Sequence, residues 1–183
     1  VAAATQCPLQ NVAITWPIIY KAAVQWGFAS RNNLVGLLGT FATESASSMW
    51  PVREAFYIYS PDPKAAEPLF QANPAPAYKW YNDTSQHAAY GGGPDWHGRG
   101  FIQTTHKSGY EAVKAATGLD VVADPDLLLQ PGPAAQAAMV YWTNRGIATP
   151  AEAKNWAEVR KRVYGGSDPA GAARIARIDA ALP

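Results

Sequence analysis

At 183 residues, 48% hydrophobic and only 16% charged, the chain has the composition of one globular domain with a sizeable core. A net charge of +1 argues against a dedicated nucleic-acid binder, and no apolar run approaches the length of a membrane span. The single cysteine, Cys7, excludes an intrachain disulfide and a cysteine-cluster metal site, so packing alone must hold the fold.

A chain opening at Val1 without a signal peptide is expected to be a processed product or a domain of a longer protein. Residues 145–179 hold seven Lys/Arg against four Asp/Glu. That excess suits an anionic polymer or a solvated helix face equally well.

Helical signals dominate in chain order. Asn11 to Gly27 carries Ile14, Ile18, Ala22 and Val24 and stops at glycine. In the helix predicted over 31–48, Leu34, Leu37, Leu38 and Phe41 recur at i, i+3, i+4 and i+7, and Glu44 continues that apolar face. A carboxyl aimed at an apolar interior near a helix C-terminus should have a raised pKa, which a general acid needs. From the helix alone, a capping or surface Glu is the more ordinary reading.

Residues 49–98 hold seven prolines and the Gly91-Gly92-Gly93 run, so much of this stretch is expected to be loop, with short helices over 63–72 and 75–82. Its aromatics (Tyr57, Tyr59, Tyr78, Trp80, Tyr81, Tyr90 and Trp96) are candidates for a groove wall, although each alone is as well explained by packing. Further on, helices are predicted from Ser108 to Thr117 and from Pro133 to Arg145. A third runs from a capping box at Thr149–Glu152 to Tyr164, and a fourth from Asp168-Pro169 to about Leu182. Only 99–104 reads as a short extended piece. The fold class is therefore mainly α, a single domain with one long aromatic-rich loop region.

Glu44 and Glu54 are two carboxyls in unlike settings, one on an apolar face and one beside Arg53 on a polar loop. Such a pair is the pattern of acid and base roles in glycoside hydrolysis, though two glutamates ten apart are common. The segment Gly98-Arg-Gly-Phe-Ile-Gln-Thr-Thr-His106 is dense in amide and hydroxyl groups suited to sugars, and lacks the Gly-Lys-Ser/Thr ending of a phosphate cradle. His87, His97 and His106 with Asp95 permit a zinc hydrolase, but without His-Glu-x-x-His spacing they read as polar loop histidines.

Ala42-Thr-Glu-Ser45, Arg53-Glu-Ala-Phe-Tyr57, Gly98–His106 and the run Ala115–Leu128 together resemble glycoside hydrolase family 19, the chitinase and phage endolysin group. The likeness spans roughly residues 30–182 and includes Trp142 and the Arg174-Ile-Ala-Arg177 helix. It implies a lysozyme-like fold and a single catalytic domain over residues 1–183. It also implies Glu44 as general acid, Glu54 as general base, Thr105 holding the attacking water and Gln103 binding substrate. Tyr57, Trp96 and Arg174 are further substrate-binding expectations, with no metal and no cofactor.

The chain departs from the family's pattern at several positions. Thr43 replaces a histidine, Ala46-Ser47 a Gly-Gly pair, Tyr164 the first residue of an Asn-Gly-Gly, and Gly109 an asparagine.

The expected function is an inverting peptidoglycan glycosidase of endolysin or muramidase type, acting on β-1,4 bonds of the cell-wall glycan. Alternatives are a chitinase on N-acetylglucosamine polymers, a single-acid lytic transglycosylase, or a non-catalytic wall-binding module. The expected partners are peptidoglycan strands or chitin oligomers, with no nucleic acid and no membrane span, and the protein is expected to be a monomer. It would act at the bacterial cell wall, either phage-encoded and released at lysis or secreted.

Overall fold

The structure, a computed structural model, describes residues 1–83, 90 and 93–182. It is mainly α, with ten α-helices and one two-stranded antiparallel pair among the described residues. None of these helices is long and apolar enough to cross a membrane. The chain divides into two compact units, Val1–Met49 with the chain from Ala138 onward, and Trp50–Ala137.

The first unit contains α1 (Ala2–Thr5), α2 (Leu9–Gln25), α3 (Arg31–Glu44), α8 (Ala148–Glu152), α9 (Trp156–Tyr164) and α10 (Pro169–Ala181). It also takes the C-terminal part of α7 (Pro131–Asn144). Helix α3 is its axis. Ser30 caps it by accepting from the Asn33 N–H at 3.2 Å, and every residue from Val35 to Ala42 is buried. The one-sided apolar face predicted there is thus corrected: glycines open the remaining sides to neighbours. Gly36 lies under the Trp142 ring, and a Cβ at Gly39 would stand 2.5 Å from Ile175 Cγ1, so α10 approaches α3 to backbone contact. Trp142 Nε1 donates to Asn33 Oδ1 at 2.8 Å, which satisfies the indole inside the core.

Two predicted helix boundaries are corrected. Helix α3 ends at Glu44 rather than 48, because Ala46 and Ser47 turn left-handed at φ 50° and 64°. The Ser47 N–H returns to Ala42 O at 2.8 Å and the Ala46 N–H to Thr43 O at 3.3 Å, the double bond set of a Schellman closure. The predicted 149–164 helix breaks into α8 and α9 at 153–155. There Lys154 adopts φ 53°, and Asn155 caps α9 by accepting from the Glu158 N–H at 3.1 Å. Glu152 caps no helix of its own; its carboxylate instead takes hydrogen bonds from Ser30 Oγ and Asn33 Nδ2 at the start of α3.

The second unit contains β1 (Val52–Arg53), α4 (Pro63–Ala72), α5 (Ala75–Asp83), β2 (Arg99–Gly100), α6 (Lys107–Thr117) and the start of α7. The predicted helices over 63–72 and 75–82 are present. Asp62 caps α4 ahead of Pro63, and Gly118 ends α6 at φ 75°. The aromatics of this stretch form its core: Tyr81 and Tyr90 are buried with Phe70, and Tyr59, Tyr78, Trp80 and Trp96 pack against them. The expected groove wall is to that extent an interior. The extended piece at 99–104 is β2 with a tight return, Arg99 pairing with Thr104 as well as with Arg53.

Candidate active site

The β1–β2 pair sets Val52 opposite Gly100 and Arg53 opposite Arg99. Continuing that register by one position brings Glu54 opposite Gly98, and the Glu54 N–H donates to Gly98 O at 2.8 Å. The Glu54 side chain folds back on the same residue: Oε2 accepts from the Gly98 N–H at 2.6 Å and Oε1 from Tyr90 Oη at 3.0 Å. Tyr81 Oη donates to the Glu54 carbonyl at 2.7 Å. Both carboxylate oxygens are therefore held, and each keeps lone-pair capacity for another donor. Glu54 lies in the turn directly after β1, beside Arg53 as the sequence suggested, but the Arg53 guanidinium is bonded to Glu67, Asp126 and His97.

Gln103 and Thr105 join Glu54 at Gly98. A Cβ on that glycine would meet Gln103 Oε1 at 2.7 Å and Thr105 Oγ1 at 3.2 Å, so any larger residue would push both side chains from their places. Gln103 is left-handed at φ 52° and its Nε2 donates to Val52 O at 2.9 Å. Thr105 Oγ1 donates to Gln103 O at 2.7 Å, which leaves its lone pairs to accept from water. Non-glycine residues with positive φ mark this neighbourhood: Ala55, Gln103 and His106. Strain of that kind concentrates at functional sites.

Behind the pair lies a charge network built on two buried arginines. Arg53 donates to Glu67 through Nε and Nη2 (3.0 and 2.7 Å), to Asp126 Oδ2 at 2.7 Å and to His97 Nε2 at 3.1 Å. Arg99 donates from Nε to Asp126 Oδ1 at 2.7 Å, and from Nη1 to Tyr110 Oη and the Asp95 carbonyl. Burial of Asp126 alone would raise its pKa, but hydrogen bonds from both arginines and their charges hold it down at about 2. His97 is fully buried and stacked 4.3 Å from the Tyr81 ring. Burial, then the charge of Arg99, push its pKa down to about 2. The imidazole is neutral, donating from Nδ1 to Pro94 O and accepting Arg53 at Nε2.

In the first unit, Glu44 Oε1 accepts from Arg160 Nη2 at 2.7 Å. Arg160 is 1% exposed and is shared with Asp168, whose Oδ2 accepts from Nε at 2.7 Å. Asp168 Oδ1 also caps α10 through the Gly171 N–H, and a Cβ at Gly171 would stand 2.2 Å from Asp168 Oδ2. Glu44 therefore meets a cation, not the apolar wall that the helix pattern predicted. Tyr141, half-buried, has its pKa raised by loss of water and further by the charge of Glu44, against the nearby Arg145. Arg174 is turned to the N-terminal segment, where Nη2 donates to Thr5 O at 3.1 Å and lies 3.9 Å from Cys7 Sγ.

Of the predicted aromatic contacts, Tyr57 is 61% exposed and available to a flat ligand. Trp96 packs edge-on against Tyr110 at 5.3 Å and is half-buried. Among the histidines, His106 is exposed, His97 is locked in the core, and His87 lies outside the described residues, as do Gly91 and Gly92. Among the described residues no group of three or more His, Cys, Asp or Glu could hold a metal ion. A cavity of about 460 Å³ in the second unit, lined by Trp50, Arg53, Lys64, Glu67 and Leu129, includes none of the sequence-predicted residues apart from Arg53, the neighbour of Glu54.

Sequence reasoning missed Arg160 and Asp126, and named Tyr90 only as a groove-wall candidate, without its bond to Glu54. Arg160 carried a signal: it lies four residues after Trp156, on the face of α9 that buries Trp156 and Val159. For Asp126, which lies in the Ala115–Leu128 run, and for Tyr90, the sequence shows the residues but not their partners, which are distant in the chain. No family model matches the chain, and no curated protein matches it.

Proposed function

We propose that the chain is an inverting glycosidase that hydrolyses β-1,4 bonds of bacterial peptidoglycan, with Glu44 as general acid and Glu54 as general base. The observation that carries this reading is the convergence of Glu54, Gln103 and Thr105 on Gly98. A carboxylate with both oxygens held, beside a hydroxyl able to accept from water, is the arrangement a water-activating base needs. In the proposed reaction a water donates one hydrogen bond to Glu54 and another to Thr105 Oγ1. Glu54 takes the proton as the water oxygen bonds to the anomeric carbon. Glu44 gives its proton to the departing glycosidic oxygen, and the sugar is released with inverted configuration. Arg160, whose Nη2 already donates to Glu44 Oε1, holds the carboxylate that remains.

Gln103 Oε1 offers an acceptor to sugar hydroxyl or acetamide donors, and exposed Tyr57 a stacking face. Peptidoglycan is favoured over chitin because the chain has one cysteine, where the chitinases of the resembled family are disulfide-bonded, and because its two glutamates are more closely spaced. The test is turbidity clearing of purified peptidoglycan by wild type, Glu44→Gln and Glu54→Gln. Each substitution should cost about 10²–10⁴-fold or more with the fold retained. Full activity of a folded Glu54→Gln would replace this mechanism with a single-acid one.

A further inference from the structure

Arg53 and Arg99 are direct cross-strand partners in a pair only two residues long, and both are almost completely buried. Like charges set opposite each other push strands apart, and so short a ladder has little hydrogen bonding to resist. His97 also contacts both, at its ring and its carbonyl, but the negative charge across them is that of Asp126, with Oδ2 on Arg53 and Oδ1 on Arg99, each at 2.7 Å. Asp126 is itself fixed by a 3₁₀ turn, Pro125–Leu129, whose Leu128 carbonyl would stand 3.3 Å from a Cβ at Gly100 of β2. Side chains alternate along a strand, so the arginines face Asp126 on one side while Glu54 emerges on the other. The Glu54–Gly98 contact is the next rung of the same ladder, and a slip of one residue would remove the Gly98 N–H from Glu54 Oε2.

We propose that Asp126 is a positioning residue that bridges Arg53 and Arg99 and thereby fixes the strand register placing the Glu54 carboxylate on the Gly98 amide. It touches no substrate; it acts through the two arginines. The inference rests on the reading of Glu54 as the base, but its geometric half can be measured without any activity.

The experiment compares Asp126→Asn with Glu67→Gln in the full chain. Glu67 also takes two hydrogen bonds from Arg53, but it does not reach Arg99, so its loss leaves the bridge intact. Asp126→Asn should lower kcat on peptidoglycan on the order of 10–100-fold with KM changed less than about twofold, the signature of misplaced rather than unbound chemistry. Glu67→Gln should keep kcat close to wild type. By NMR hydrogen exchange, the Gly98 amide should lose about tenfold or more of its protection in Asp126→Asn and keep it in Glu67→Gln. Should Asp126→Asn not fold, Asp126→Glu, which keeps the charge at a longer reach, should still lose more kcat than Glu67→Gln. Equal losses in those two variants, or a folded Asp126→Asn with wild-type kcat and Gly98 protection, overturn the proposal. An inactive wild type would instead sink the glycosidase reading, while the Gly98 exchange comparison would still test the bridge.

Discussion

A methyl group at position 98 would press on the Gln103 amide and the Thr105 hydroxyl at once, 2.7 and 3.2 Å away, on the residue whose N–H holds Glu54. Gly98→Ala is therefore expected to fold but to lose on the order of 10²-fold in hydrolysis, because small displacements of a reacting group are that costly. Release of reducing ends from peptidoglycan measures it, and a wild-type rate would contradict the role given to this glycine. His97 makes the same region acid-sensitive. The unfolded imidazole takes its proton near 6.5, whereas the buried one resists until about 2. Between those values the unfolded chain binds the extra proton, so stability should fall by about 1 kcal/mol per pH unit as pH drops below 6.5. Asp126 adds to the loss below 3.8, where its unfolded carboxyl protonates while the folded one stays charged to about 2. Urea midpoints measured from pH 7 to 4.5 should decline steadily; a flat series would mean that His97 is not a buried neutral group.

At the scale of elements, the C-terminus of α3 is the clearest local conflict. A Schellman closure favours glycine at its left-handed position, and here Ala46 holds φ 50°. Left-handed backbone costs a residue with a Cβ about 1–2 kcal/mol, partly offset by the unfolded-state freedom that glycine adds. Ala46→Gly should therefore raise stability by about 0.5–1 kcal/mol in thermal melts; a fall would show that the strain is absent. Gly39→Ala is the opposite case. Its Cβ would meet Ile175 where α3 and α10 touch, and overpacking there should cost about 1–3 kcal/mol. Much of this level was legible in the sequence, because its punctuation is local. Gly27, Gly118 and the Asp-Pro starts of α4 and α10 act through their own φ and side chains. The break at 153–155 was not, since Glu152 looks like the end of a capping box until Ser30 and Asn33 supply it with partners from another helix. The aromatics misled for a related reason: a ring that fills a core and a ring that lines a groove have the same sequence. Gln103, Thr105 and Glu54 are singled out by the likeness of their motifs, yet the bonds that hold the Glu54 carboxylate come from the Gly98 amide and Tyr90, which only tertiary structure brings near it.

For the molecule as a whole, the proposed chemistry requires two carboxylates, a water and a glycan, and no metal. Activity should survive exhaustive dialysis against EDTA; loss on chelation with rescue by zinc would return the histidines to consideration as ligands. The central claim is hydrolysis of the glycan, and it differs from its rivals in the fate of the new reducing end. A hydrolase installs the oxygen of water on the anomeric carbon, a lytic transglycosylase closes an anhydro ring without water, and a binding module leaves the strand intact. The most direct measurement is mass spectrometry of the fragments released from purified peptidoglycan in ¹⁸O-labelled water. The account predicts soluble fragments whose reducing-end sugars carry one ¹⁸O, absent with Glu44→Gln. Unlabelled anhydromuramic ends, or no fragments at all from folded protein, would contradict it.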